Sequence, residues 1–123
     1  MLEQLIGAEL IEITPQHIIV DKDGERYEIN INDDGGDCCG YNEIETHLLV
    51  SEHSRPVITS VKVDDESSAC GGWGDAARLT FFGESKPIAE IESLSSSGSG
   101  WGYGATVTLI CDPLHINHIL SSW

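Results

Sequence analysis

Apolar and polar residues alternate in short runs along much of this chain, the period-2 pattern of strands buried on one face. Leu10-Ile11-Glu12-Ile13 and His17-Ile18-Ile19-Val20 are two such runs, broken by Thr14-Pro15-Gln16. Asp23-Gly24 then precedes the alternating Tyr27-Glu28-Ile29-Asn30-Ile31. Asp and Gly tolerate positive φ, so this pair predicts a two-residue hairpin. Further strands are expected over 57–63, 78–82, 87–92 and 105–111, whereas 44–50 fits a strand or a short helix. Residues 64–76 and 95–104 are polar and rich in Gly or Ser, which predicts long loops.

The period changes at both ends. Leu2, Leu5 and Ile6 fit one apolar helical turn closed by Gly7. Asp112 is a good N-cap and Pro113 a favoured first helical residue. Ile116, Ile119, Leu120 and Trp123 then fall on one helical stripe, which predicts a closing helix. The expected fold is mainly β (α+β): antiparallel sheet with an N-terminal helical turn and a C-terminal helix. Residues 1–123 read as a single domain, with no linker long enough to divide them.

Gly72-Trp73-Gly74 and Gly100-Trp101-Gly102 each lead into a strand, at an offset of 28 residues. If strands 78–82, 87–92 and 105–111 form a meander, both leading loops leave the same end of one sheet, roughly 10 Å apart. Trp73, Gly74, Trp101, Gly102 and Tyr103 are then candidate ligand-binding residues for a small planar, nucleotide-like molecule. The flanking glycines would expose backbone N–H groups to it. Shared turn chemistry, with each Trp packed as a lid on its own sheet, explains the echo equally.

Charge narrows the partners. The chain carries 21 acidic and 6 basic residues, a formal charge of −15. Contact with bare nucleic acid or an anionic membrane needs Lys and Arg, so both are disfavoured. Residues 1–66 hold 16 acids against 4 bases; residues 67–123 hold 5 against 2. Asp33, Asp34, Asp37, Asp64, Asp65 and Glu66 are accordingly the candidate contacts to a basic protein surface. A plain solvated acidic surface is the competing reading. No apolar run is long enough for a membrane span, and Met1-Leu2-Glu3-Gln4 lacks the basic start of a signal peptide.

The catalytic signals are thin. Cys38, Cys39, Cys70 and Cys111 lack C-x-x-C spacing and do not suggest a disulfide framework, so the thiols read as reduced and the compartment as cytoplasmic. His115 and His118 would share one side of the expected helix and could bind a metal, or be ordinary surface residues. The carboxylates Glu43/Glu45 and Asp64/Asp65 carry little signal in so acidic a chain. No nucleophile elbow, phosphate loop or dinucleotide fingerprint is present. No cofactor or metal is expected, and the chain reads as a non-enzyme.

Leu5-Ile6-Gly7, Asp23-Gly24-x-x-Tyr27, Asp37-Cys38-Cys39 and Pro56-Val57-Ile58 together resemble a family of small phage and prophage proteins. The resemblance covers about residues 5–65. It implies a mobile-element origin and attaches no activity. The expected function is therefore a phage-type binding protein acting in the host cytoplasm. It would interfere with the host or its defences by covering a basic protein surface or sequestering a planar ligand, and Trp123 could support an oligomer. A minor virion or assembly protein, and an enzyme using Cys38 or Cys39, are the alternatives.

Overall fold

The alternating runs become strands that pair edge to edge across two separate sheets. The computed structural model describes residues 2–35, 41–51, 53–67, 74–96 and 105–123. A 3₁₀ helix at Leu2–Leu5 opens the chain, as expected for its apolar turn. The strands are β1 (Glu9–Ile13), β2 (His17–Lys22), β3 (Glu25–Asp34), β4 (Tyr41–Leu48), β5 (Ser60–Asp65), β6 (Gly74–Gly83), β7 (Lys86–Ser96), β8 (Thr106–Cys111) and β9 (Ile116–Ser122). One sheet has five strands in the order β1-β2-β3-β8-β9, the other four in the order β4-β7-β6-β5. Every pairing is antiparallel.

The two sheets close over one apolar layer, as in a sandwich. Ile18, Val20, Ile29, Leu109 and Ile116 enter it from the five-stranded sheet, and Leu79, Phe81 and Ile91 from the other. All eight are fully buried. Each such side chain contributes about 1.5–3 kcal/mol relative to exposure. Cys111 is a free thiol buried within this layer.

Turn chemistry explains the two tightest hairpins. Asp23 (φ 52°) and Gly24 (φ 81°) join β2 to β3 with both central residues left-handed, as the Asp-Gly pair predicts. Glu84 (φ 51°) and Ser85 (φ 68°) make the same kind of turn between β6 and β7 without a glycine. Gly83, just before it, is needed for space: a Cβ there would lie 2.9 Å from the Val57 carbonyl oxygen.

Several expectations are corrected. The C-terminal helix does not form. Asp112–Leu114 makes a single 3₁₀ turn, His115 adopts a left-handed conformation (φ 55°, ψ 38°), and the chain continues as β9. The segment Ile116-Asn117-His118-Ile119 contains no strong helix former, and as a strand it pairs the open side of β8. The apparent helical stripe has another cause. Thr108 opposes Ile119 and Val107 opposes Ser121, so Leu120 is the extra residue of a β-bulge. The bulge buries both Leu120 and Ser121 while Ile119 stays exposed. His115 and His118 consequently do not share a helix face.

The expected meander is also absent. Strands β6 and β7 pair, but β8 belongs to the five-stranded sheet between β3 and β9. Of residues 44–50, Ile44 to Leu48 are strand, within β4, and Leu49 and Val50 follow it. Ser95 and Ser96, expected in a loop, end β7 and are buried. Val57 and Ile58 precede β5 rather than joining it, and bridge to the start of the other sheet through Glu9 and Ala8.

Asp21 is a charge hub on the five-stranded sheet. Its Oδ1 accepts from Arg26 Nε at 2.9 Å, and its Oδ2 accepts from Arg26 Nη2 at 3.3 Å and from Arg55 Nη2. The hydrogen bonds from Arg26 hold the Asp21 carboxyl below the usual carboxylate range.

Two outcomes follow from these features. Ser85→Gly relieves a left-handed side-chain residue and should stabilise the fold by about 1 kcal/mol, read from urea midpoints. Because the Asp21 pKa is depressed by folding, its contribution is present at neutral pH and is lost as pH falls through the folded value. Asp21→Asn should therefore lower the urea midpoint at pH 7, with the gap to the unsubstituted protein closing in strong acid. A pH-independent gap would contradict this assignment.

Candidate binding face

Strand alternation that points apolar residues inward on the four-stranded sheet points carboxylates outward. The β4–β7 register sets Glu43 opposite Leu94, Glu45 opposite Glu92 and His47 opposite Glu90. The β6–β7 register continues the rows from Leu94 to Ala76, Glu92 to Arg78 and Glu90 to Thr80. The β5–β6 register completes two of them with Asp64 opposite Arg78 and Lys62 opposite Thr80. Glu66, just past β5, reaches the same face through Arg78. Among the described residues, one sheet face thus carries six carboxylates, from Glu43, Glu45, Asp64, Glu66, Glu90 and Glu92, against the two cations Lys62 and Arg78.

Arg78 sits at the centre of this face. Its Nη2 donates to Glu92 Oε1 at 2.8 Å, and its Nε lies 3.2 Å from Glu66 Oε1. The hydrogen bond to Glu92, with the charges of Glu66, Glu92 and Glu90, raises the pKa of its guanidinium. Lys62 pairs with Asp64 at 3.4 Å. An open groove of about 340 Å³ runs beside Arg78, walled by Glu43, Glu45, Glu66 and Glu92 and bordered by the apolar Ala76 and Leu94. Its character is anionic rim over a narrow apolar strip.

The opposite face of the molecule is chemically different. Its outward positions over β8, β9 and the adjoining part of β3 are Asn30, Asn32, Thr108, Ile110, Asn117 and Ile119, all uncharged, whereas Arg26, Glu28 and Asp34 face outward elsewhere on β3, beside Glu9, Glu12 and Asp21 of β1 and β2. The carboxylate face of the four-stranded sheet is thus one of two acidic areas, separated by the uncharged strip over β8 and β9. The division by halves of the sequence does not describe it, because Glu90 and Glu92 come from the second half.

A polar latch ties the two sheets together at one end. Ser95 on β7 donates to Asn42 Oδ1 at 2.6 Å and lies 2.7 Å from Ser121 Oγ on β9. The Asn42 amide is shared among Asp33 Oδ1, the Asp34 carbonyl and the Thr106 carbonyl, at 2.8, 2.9 and 3.1 Å. Asp75 accepts from Ser67 Oγ at 2.6 Å and from the Ser122 backbone N–H at 2.8 Å. Trp123, half-buried, donates its backbone N–H to the Ala105 carbonyl at 2.8 Å.

Asp64 and Glu66 belong to the acidic face. Asp65 instead accepts the Ser67 backbone N–H at 2.9 Å, and hydrogen bonding to Ser67 lowers its pKa. Asp33 and Asp34 lie at the latch, on the other sheet. Asp37, Trp73, Trp101, Gly102, Tyr103, Cys38, Cys39 and Cys70 lie outside the described residues. Gly74, the described member of the ligand set, is buried at the start of β6 opposite Ser96. It and Thr106 begin strands in different sheets, so the single-sheet spacing expected between the two Trp loops does not apply. His118 lines an apolar groove with Leu2, Ile6, Val61 and Val63, and burial lowers its pKa.

The acidic face draws on His47, Arg78, Glu90 and Glu92, which do not stand out in the sequence, and on Glu43 and Glu45, whose pairing carries little signal there. The available signal was spacing: Glu43-x-Glu45-x-His47 and Glu90-x-Glu92 place like residues on one strand face. No helix among the described residues is long and apolar enough to cross a membrane. Comparisons with models of protein families, with curated proteins and with solved structures find no match.

Arg78 offsets repulsion among its neighbours, so Arg78→Gln should lower the urea midpoint at low ionic strength. The deficit should shrink in high salt, where the carboxylates are screened. Equal deficits at both salt concentrations would assign Arg78 a packing role instead.

Proposed function

We propose that this chain is a non-catalytic binding protein that docks the acidic face of its four-stranded sheet on a basic surface of a protein partner. The observation that carries the proposal is the strand-built carboxylate face of the four-stranded sheet, with six carboxylates against two cations among the described residues and a groove walled by four of the carboxylates. A strand-built face holds its charges at fixed spacing, so little ordering is required on binding. Its field favours encounter with a cationic surface and opposes polyanions.

The resemblance of residues 5–65 to phage and prophage proteins supplies the setting. The partner in that setting is a host protein in the host cytoplasm, covered at a basic functional site. The acidic groove beside Arg78 supports this reading, since its carboxylate walls suit Lys and Arg side chains and its apolar strip suits their aliphatic stems.

The test uses an immobilised oligolysine peptide as a stand-in for the basic surface. The protein should be retained in low salt and released as ionic strength rises. Replacing Glu43 and Glu90 together by Lys should weaken retention by about tenfold or more. The matched change of Asp33 and Asp34 removes as much charge from the latch end, and should have a smaller effect. Equal losses from the two double variants would show that net charge alone, and no particular face, governs the contact.

A further inference from the structure

The acidic face contains an arrangement that charge complementarity to a protein does not account for. Glu45 and His47 are two residues apart on β4 and project from the same side. Glu92 is the direct cross-strand partner of Glu45. One ligand atom from each of Glu45, His47 and Glu92 lies within 4.8 Å of the other two. Directly opposed carboxylates repel, and a sheet normally avoids the pairing.

We propose that Glu45, His47 and Glu92 form a binding site for a first-row divalent transition-metal ion of the zinc or nickel type. The donor set is one imidazole and two carboxylates, which suits such ions better than calcium or magnesium, whose ligands are oxygen throughout. Distances agree with this reading. Two donors at bond lengths of about 2.1 Å on a tetrahedral ion stand about 3.4 Å apart. His47 Nε2 and Glu45 Oε2 are already 3.7 Å apart. Small side-chain rotations bring in the third donor, because all three side chains are at least partly exposed and none is locked in the core. Arg78 engages Glu92 through Oε1, so the second carboxylate oxygen is the one offered to the ion. Solvent completes the coordination. Binding relieves the Glu45–Glu92 repulsion, while Arg78 keeps the affinity below that of a dedicated structural site.

The site shares Glu45 and Glu92 with the docking face, so the oligolysine assay is run with a chelator present and the two proposals fail separately. The experiment is a titration of the full chain with Ni²⁺ at about pH 7.5, followed by amide NMR. Paramagnetic broadening should saturate and centre on residues 45–47 and 91–93. His47→Ala should weaken binding at that position by about tenfold or more, and Glu92→Gln should weaken it in the same direction. Both positions are on the surface, and unchanged spectra elsewhere will show that each variant is folded. His17→Ala should leave the affinity unchanged. Broadening centred on other histidines or on the cysteine-bearing segments, or an affinity unmoved by His47→Ala, would overturn the proposal.

Discussion

The structure depends on the parity of its strands. Once Leu79, Phe81 and Ile91 are committed to the layer between the sheets, the intervening positions must face water. On β4, β6 and β7 those intervening positions are Glu43, Glu45, Arg78, Glu90 and Glu92. The acidic face is therefore coupled to the core: a one-residue slip of β7 against its neighbours would bury the carboxylates and expose the isoleucines. The energy of apolar burial holds like charges at a separation that they would not choose.

The second constraint acts at the end of the sandwich where β3, β7 and β9 finish and β4, β6 and β8 begin. There the inward side chains are polar, with Ser95, Asn42, Ser121 and Asp75 in place of aliphatic residues. Buried hydroxyls cost stability unless they are paired. The bulge at Leu120 provides a partner by turning Ser121 inward to face Ser95. An irregularity in one strand thus satisfies a polar group in the opposite sheet.

Much of this architecture was legible in the sequence, and the failures have physical reasons. The Asp23-Gly24 hairpin and most strands were readable because the turn residues and the period-2 runs agree. The closing helix was misread because a bulged strand and a helix can both bring Ile116 and Leu120 to one side. A meander was expected because consecutive strands usually pair, yet the chain between Ser96 and Ala105 is long enough to change sheets. Runs of consecutive acids, at 33–34 and 64–66, are the visible acidic signal in the sequence, but they do not by themselves mark the carboxylate face. Neighbours in a strand point to opposite faces, so a carboxylate face is assembled from alternate positions on several strands, and pairing between strands remote in sequence brings Glu45 to Glu92.

The position of β4 at the border of its sheet carries one more consequence. A terminal strand offers unsatisfied backbone donors and acceptors, and another extended chain can add to it and begin polymerisation. Glu43, Glu45 and His47 stand along that border. A second copy approaching in the same way would bring its own row of carboxylates against them. Repulsion along this rim therefore discourages fibrous self-association and keeps the open side of the sandwich from growing.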